Sequence, residues 1–302
     1  SSSHRSKPPL LARLGPRMGC GASNRYEGKD RLRVHPRRVS KRHVEVEYPK
    51  YWSSPTKVDD GAPFQQCVDC VSDDEEMTSV QNLLDHTTLP DGPRLRLERV
   101  VRVEDSALWD FYERGVTCIA DARFGEDTHV VDICSPAGSL QLQPWTTRGL
   151  PKNWRNRLRL EANETYLWHG TDRESANNIM KEAFNIKKAG QANAKVLGRG
   201  AYFAESATVS DKYTPAGPDG LHGLLLVRAA LGKVYVARRY TGWRGHKLVR
   251  VVSTTKLVRE GDYDSVLGDR NKAFNKDIRE YCVANSSQLY PEYLVLYSRV
   301  PR

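Results

Sequence analysis

Residues 165–184 change structural period in mid-course, and that change limits the folds open to the chain. Thr165, Tyr166, Leu167 and Trp168 form a short apolar run that ends at His169-Gly170. Thr171-Asp172-Arg173-Glu174 then fits a capping box, in which side chains satisfy the first free N–H groups of a helix. Ala176, Ile179, Met180, Ala183 and Phe184 follow at helical spacing, so the segment predicts a strand, a turn and an amphipathic helix packed against the sheet. Residues 94–103 open in the same way. Arg94-Leu95-Arg96-Leu97-Glu98-Arg99-Val100-Val101-Arg102-Val103 is close to a period of two, and Glu104-Asp105-Ser106 starts a helix through Leu108, Trp109, Phe111 and Tyr112. Further strands are predicted at 223–230, 233–237, 278–284 and 290–297, each flanked by Gly, Asn, Ser or Pro. Residues 187–199 hold Gly190, Gly198 and few large apolar side chains, and read as a mobile loop that leads into Tyr202. The expectation is a strand-rich α+β domain.

The chain has 302 residues, enough for one large domain or two modest ones. Its net charge of +10 is unevenly spread, since residues 1–50 carry thirteen Lys and Arg against Glu27, Asp30, Glu45 and Glu47. A basic arm of this kind attracts nucleic acid, an anionic membrane or an acidic partner, or is simply a solvated tail. Val71-Ser72-Asp73-Asp74-Glu75-Glu76 reads as an acidic linker, so residues 1–76 are expected to be largely disordered and residues 77–302 to form the folded domain. No run of about eighteen apolar residues and no secretory signal is present, which points to a soluble intracellular chain, cytoplasmic or nuclear. Met18-Gly19-Cys20-Gly21-Ala22-Ser23 fits a myristoylation pattern, with membrane association if Gly19 is the true N-terminus. The six cysteines are too scattered for a disulfide framework. Cys67 and Cys70 have the spacing of half a zinc site but lack a second pair, and no metal is expected.

Several side chains offer chemistry. His169 before Gly170 leaves an imidazole exposed beside a backbone that a flat ligand can approach without a Cβ in the way. Ser210 and Tyr213 are three apart in a segment, 205–213, that reads as a short helix, and Tyr202 lies at the end of the preceding strand. Two facing tyrosines make a slot for a flat heteroaromatic ring and favour a cationic one, although tyrosines at such spacing more often pack a core. In Tyr290-Pro291-Glu292-Tyr293-Leu294-Val295, alternation puts Glu292 on the face of Leu294 and Leu296. A carboxylate there caps a hydrogen-bond network, sits at the exposed strand end, or acts on a ligand.

With these residues assembled, 77–302 resembles the catalytic domain of the poly(ADP-ribose) polymerase family, the diphtheria-toxin-like ADP-ribosyltransferases. The motifs that carry the resemblance are 101–109, Leu167-Trp168-His169-Gly170-Thr171, Gly198-Arg199-Gly200-Ala201-Tyr202-Phe203-Ala204, Ser210 with Tyr213, 263–268 and 290–295. The resemblance implies an ADP-ribosyltransferase fold of two packed, mainly antiparallel sheets flanked by helices. It implies NAD+ as substrate and protein acceptors, with ADP-ribose transferred singly or as polymer. His169, Tyr202 and Glu292 would be the catalytic signature. His169, Gly170, Thr171, Tyr202, Ser210 and Tyr213 would bind NAD+, and Glu292 would stabilise oxocarbenium-like charge as the glycosidic bond breaks. Val209 stands where founding members often carry lysine, and the region 240–260 departs from the family pattern, which weakens polymer elongation relative to single transfer. The alternatives are a non-catalytic NAD+ or ADP-ribose binding module, and an RNA 2′-phosphotransferase of the same fold.

Overall fold

The computed structural model describes residues 46–53, 64–70, 73–126, 144–187, 197–237, 242–244, 247–249, 253–269 and 279–301. The basic arm up to residue 45, the Met18–Ser23 pattern and most of the loop read at 187–199 lie outside them. In chain order the strands are β1 (Gln65–Asp69), β2 (Arg94–Asp105), β3 (Glu164–Gly170), β4 (Ala201–Ala204), β5 (His222–Ala230), β6 (Val234–Ala237), β7 (Gly242–Arg244), β8 (Lys247–Val249), β9 (Ser265–Asp269), β10 (Arg279–Val283) and β11 (Leu289–Val300). The helices are α1 (Asp74–Thr87), α2 (Ser106–Ala122), α3 (Trp145–Gly149), α4 (Lys152–Arg155), α5 (Arg173–Glu182), α6 (Ala207–Asp211) and α7 (Thr254–Glu260). The α+β class holds.

The strands form one nine-stranded sheet in the order β1-β2-β11-β5-β3-β4-β10-β9-β6, with β7 and β8 as a separate pair. All pairings in the large sheet are antiparallel except β6 with β9. Where two packed sheets were expected, one sheet is pinched at its middle. β3 meets β4 only at Trp168 opposite Ala204, whereas β3 pairs with β5 along its whole length. Helix α3 is bonded to both sides of that gap. The Trp145 N–H donates to Glu205 at 2.9 Å, and the Thr146 hydroxyl to the Tyr166 carbonyl at 2.5 Å.

Each face of the sheet has its own core. Leu167, Leu225, Leu294 and Leu296 pack against Ala176, Met180 and Phe184, so the apolar stripe read from the sequence does seat α5. Its N-cap is Asp172, one residue later than the predicted box, because Asp172 Oδ1 accepts the Ser175 N–H at 2.8 Å. On the opposite face Trp168, Leu226, Tyr293 and Val295 pack against Val80, Leu83 and Leu84 of α1. The predicted break between β2 and α2 is sharp, with Asp105 as N-cap accepting the Leu108 N–H.

The folded unit begins well before residue 77. Trp52 is 3% exposed and packs on Trp109 and Tyr290, and β1 pairs with β2 over its full length. The acidic run read as a linker is partly the start of α1, capped by Asp73. Glu76 is buried there, bound by Arg102 at 2.5 Å and by the Tyr293 hydroxyl. Two opposite charges with several hydrogen bonds make this burial tolerable, which a stretch of acidic sequence does not reveal.

Candidate active site

The pinch between β3 and β4 gathers most of the residues singled out above. The His169 Nδ1–H donates to the Tyr202 carbonyl at 2.8 Å, and the imidazole is flanked by Phe184 and Phe203. Burial pushes its pKa below the usual histidine value, with the Tyr202 carbonyl working weakly the other way. The ring is therefore neutral near pH 7. With Nδ1 committed as donor to a carbonyl, Nε2 is left as an acceptor, suited to a ligand hydroxyl.

Gly170 follows at the strand end. A Cβ there would stand 1.9 Å from the Ser210 carbonyl oxygen, so only glycine lets α6 settle on β3. The Ser210 hydroxyl donates to the Trp168 carbonyl at 3.0 Å, keeping its lone pairs to accept an N–H. At the other end of the helix, the Ser206 hydroxyl donates to the Thr87 carbonyl and Thr208 accepts the Leu89 N–H, each at 2.9 Å. Alternation about the Trp168–Ala204 pair puts Tyr202 and Gly170 on the face that α6 covers. The Tyr202 hydroxyl donates to the Gly198 carbonyl at 2.8 Å and accepts the Leu197 N–H at 3.0 Å. Tyr213, 44% exposed, extends from the turn after α6, and Thr171 lies half-buried just past Gly170. A glycine backbone, a serine, two tyrosines and a histidine acceptor are thus brought together where β3, β4 and α6 meet, a donor and acceptor set that fits an aromatic carboxamide and a ribose.

Glu292 is not among them, which corrects the assignment drawn from the resemblance. It lies on β11, three strands from β4, and is fully buried. A bulge in the pairing of β11 with β5 between Tyr290 and Tyr293 breaks the alternation. The carboxylate therefore meets Tyr166 and Arg228 instead of sharing the face of Leu294. Tyr51 donates to its Oε1 at 2.6 Å, Tyr166 to its Oε2 at 2.7 Å, and Arg228 stands 3.7 Å away. Burial raises the pKa of both phenols, and the nearby Glu292 adds to it, so both stay protonated donors. Of the three roles open to Glu292 from sequence, the structure supports the first, the centre of a buried hydrogen-bond network.

The carboxylate that flanks the cleft is Glu280. It lies on β10 directly opposite Ala204, which is itself opposite Trp168, and Cys282 lies opposite Tyr202. Trp168, Ala204 and Glu280 form one row across three adjacent strands, so the Glu280 side chain projects to the face that carries α6. Glu205, the other nearby carboxylate, is taken up by Arg279 at 2.5 Å and by the Tyr281 hydroxyl at 2.9 Å. The sequence held a clue. Glu280-Tyr281-Cys282-Val283 and Glu292-Tyr293-Leu294-Val295 share one pattern of glutamate, tyrosine and apolar residues. Only strand order tells them apart.

The family model described as the poly(ADP-ribose) polymerase catalytic domain matches residues 74–299, about three quarters of the chain. The chain belongs to that family. Among curated relatives, the poly [ADP-ribose] polymerase tankyrase of Caenorhabditis elegans is 25% identical over 161 residues, 45% of this chain and 7% of that protein. The human protein mono-ADP-ribosyltransferase PARP14 is 24% identical over 269 residues, 87% of this chain and 11% of that protein. The mouse protein mono-ADP-ribosyltransferase PARP11 is 24% identical over 269 residues, 83% of this chain and 64% of that protein. The chain thus spans only part of each. The poly(ADP-ribose) polymerase match takes in β3, β4, α6 and β10 complete, and with them every residue of the cleft described above. Family members use NAD+ as substrate. Among the described residues no cluster of three His, Cys, Asp or Glu could hold a metal ion, and no helix is long and apolar enough to cross a membrane.

Proposed function

We propose that this chain cleaves the nicotinamide glycosidic bond of NAD+ and transfers ADP-ribose to protein acceptors, with Glu280 as its catalytic carboxylate. The observation that carries the reading is the row Trp168–Ala204–Glu280, which sets one carboxylate beside a cleft edge built from His169, Gly170, Tyr202, Ser210 and Tyr213. Gly170 and Ser210 hold the nicotinamide carboxamide, and Tyr202 and Tyr213 bound its ring. His169 Nε2 accepts a hydroxyl of the adenosine ribose. Glu280 binds the nicotinamide ribose and stabilises the positive charge that develops on its anomeric carbon, an interaction stronger in the transition state than in the ground state. Nicotinamide leaves neutral, so no general acid is required.

The names of the relatives include both a polymerase and mono-ADP-ribosyltransferases, so the proposal covers a single unit and a polymer. Incubation with labelled NAD+ tests it: a sharp band means one unit, a ladder means polymer, and absence of both label and released nicotinamide overturns the reading. A binding module without turnover has no use for a carboxylate in that row. An RNA 2′-phosphotransferase needs arginines in the cleft, where this chain carries tyrosines. The charge of residues 1–50 supports an anionic partner, a membrane or nucleic acid, and Met18-Gly19-Cys20 supports intracellular attachment through acylated Gly19. Mass spectrometry of the native N-terminus tests the latter, and an unmodified residue upstream of Gly19 overturns it.

A further inference from the structure

Helix α6 carries Ser210 and leads into Tyr213, yet it has only five residues. A helix this short has no stability of its own in water, so tertiary contacts set its orientation. Its N-terminal side is tied to residues 87–89 and its underside to β3, as described above. Its C-terminal side is held by the far end of β11. Arg299 Nε donates to Asp211 Oδ1 at 2.9 Å, and Arg299 Nη2 donates to the carbonyls of Asp211 at 2.8 Å and Thr214 at 3.2 Å. The Tyr297 hydroxyl donates to the same carboxylate oxygen at 2.5 Å and pairs with the Thr214 hydroxyl at 2.8 Å. Burial and the Asp211 carboxylate raise the Tyr297 pKa, so this hydroxyl stays protonated.

One guanidinium therefore grips the backbone on both sides of Tyr213. It adds a charged donor to carbonyls that hold other bonds as well. The Asp211 carbonyl accepts the Thr214 N–H at 3.1 Å and hydroxyl at 2.8 Å, and the Thr214 carbonyl accepts the His222 Nδ1–H at 2.7 Å. The C-terminal end of a helix is also where a cation is favoured. Asp211 is 5% exposed and would be a costly buried charge without Arg299 and Tyr297. Arg299 itself is 37% exposed along its side chain, so the fold does not depend on burying it.

We propose that Arg299, with Asp211 and Tyr297, is a positioning clamp for the nicotinamide slot, fixing the turn that presents Ser210 and Tyr213 without touching substrate. The proposal rests on the reading of that slot given above. Tyr297 and Arg299 lie on β11, three strands from β4 with Tyr202 and four from β10 with Glu280.

The test is a comparison of wild type, Arg299→Ala and Arg299→Lys in NAD+ turnover and in inhibition by benzamide, which mimics only the ring and carboxamide of nicotinamide. In Arg299→Ala, the KM for NAD+ and the inhibition constant for benzamide should rise together by about tenfold, with kcat changed less than about threefold, since misplacement of a binding group by under 1 Å has effects of this order. Arg299→Lys keeps the charge against Asp211 but lacks the fork that reaches two carbonyls, so it should recover part of the loss. A lower melting temperature with KM and benzamide inhibition unchanged would mean a purely structural contact and overturn the clamp. A wild type that turns over NAD+ but ignores benzamide removes the slot on which the clamp rests. If wild type does neither, the activity itself falls, and the clamp with it.

Discussion

Replacing Tyr51 by Phe separates the two glutamates without touching either. The ring stays where it is, since the Arg157 guanidinium lies 3.8 Å from its centroid and that contact needs no hydroxyl. What disappears is one donor, at 2.6 Å from Glu292 Oε1, together with the acceptor reached by Arg228 Nη1 at 3.4 Å. Glu292 keeps Tyr166 on its other oxygen and Arg228 at 3.7 Å, so it is weakened but not abandoned. A hydrogen bond to a charged group contributes about 1.5–3 kcal/mol, and the bare Oε1 has no route to water, so a loss of about 2 kcal/mol is expected. For a folded unit of this size that is a fall of roughly 4–8 °C in melting temperature. The assay is urea unfolding by tryptophan fluorescence, run beside nicotinamide release at a temperature where both forms are folded. The midpoint should fall with its slope unchanged, while kcat stays within about twofold of wild type. A variant with unaltered stability and a kcat reduced a hundredfold or more would refute the reasoning, because Glu292 would then be working on substrate through Tyr51.

Gly170→Ala places a methyl group 1.9 Å from the Ser210 carbonyl, which α6 can relieve only by lifting off β3. Nicotinamide and benzamide binding should be lost while far-UV circular dichroism is retained, and calorimetric titration of the variant checks this. His169 has a folded-state pKa below its unfolded value. The unfolded chain therefore takes up the extra proton first, and stability contributed by the neutral ring should decline as pH falls through about 6.5. NAD+ binding should decline further into acid, as pH falls through the lowered folded-state value and Nε2 becomes a donor, and be flat above it. His169→Gln, which cannot titrate, should flatten the acid limb of both curves; a limb of unchanged steepness contradicts the role given to the neutral imidazole.

The parts legible in the sequence were those fixed locally. Asp105 announces the start of α2 because an N-cap acts within three residues, and the stripe from Ala176 to Phe184 reports the face of α5 because helix geometry repeats. His169, Gly170, Tyr202, Ser210 and Tyr213 come together for a similar reason, as they lie on β3, β4, α6 and the turn after it. The carboxylate proposed for the site has no such local mark. Glu280 and Glu292 sit in near-identical strands twelve residues apart, and what separates them is which strand lies next to β4. Pairing between distant segments leaves no mark on local pattern.

The N-terminal boundary was missed on similar grounds. Tyr51 and Trp52 follow only a short alternating stretch, Val44-Glu45-Val46-Glu47-Tyr48, after a basic arm, and their reason for order lies at Glu292, Trp109 and Tyr290. The bulge after Tyr290 likewise turned Glu292 to the face that simple alternation had denied it. Buried ion pairs such as Arg102 with Glu76 hide in stretches whose composition reads as solvent-exposed.

The central claim is that the working carboxylate is Glu280 and that Glu292 is structural. Nicotinamide release from NAD+, measured for Glu280→Gln and Glu292→Gln under conditions where circular dichroism shows each folded, tests it most directly. The account predicts that Glu280→Gln lowers kcat by about a hundredfold or more with stability close to wild type, as for loss of a charge-stabilising group. It predicts that Glu292→Gln is destabilised by several kcal/mol yet turns over NAD+ at close to the wild-type rate per folded molecule. The reverse pattern, a stable and inactive Glu292→Gln beside a fully active Glu280→Gln, would contradict it.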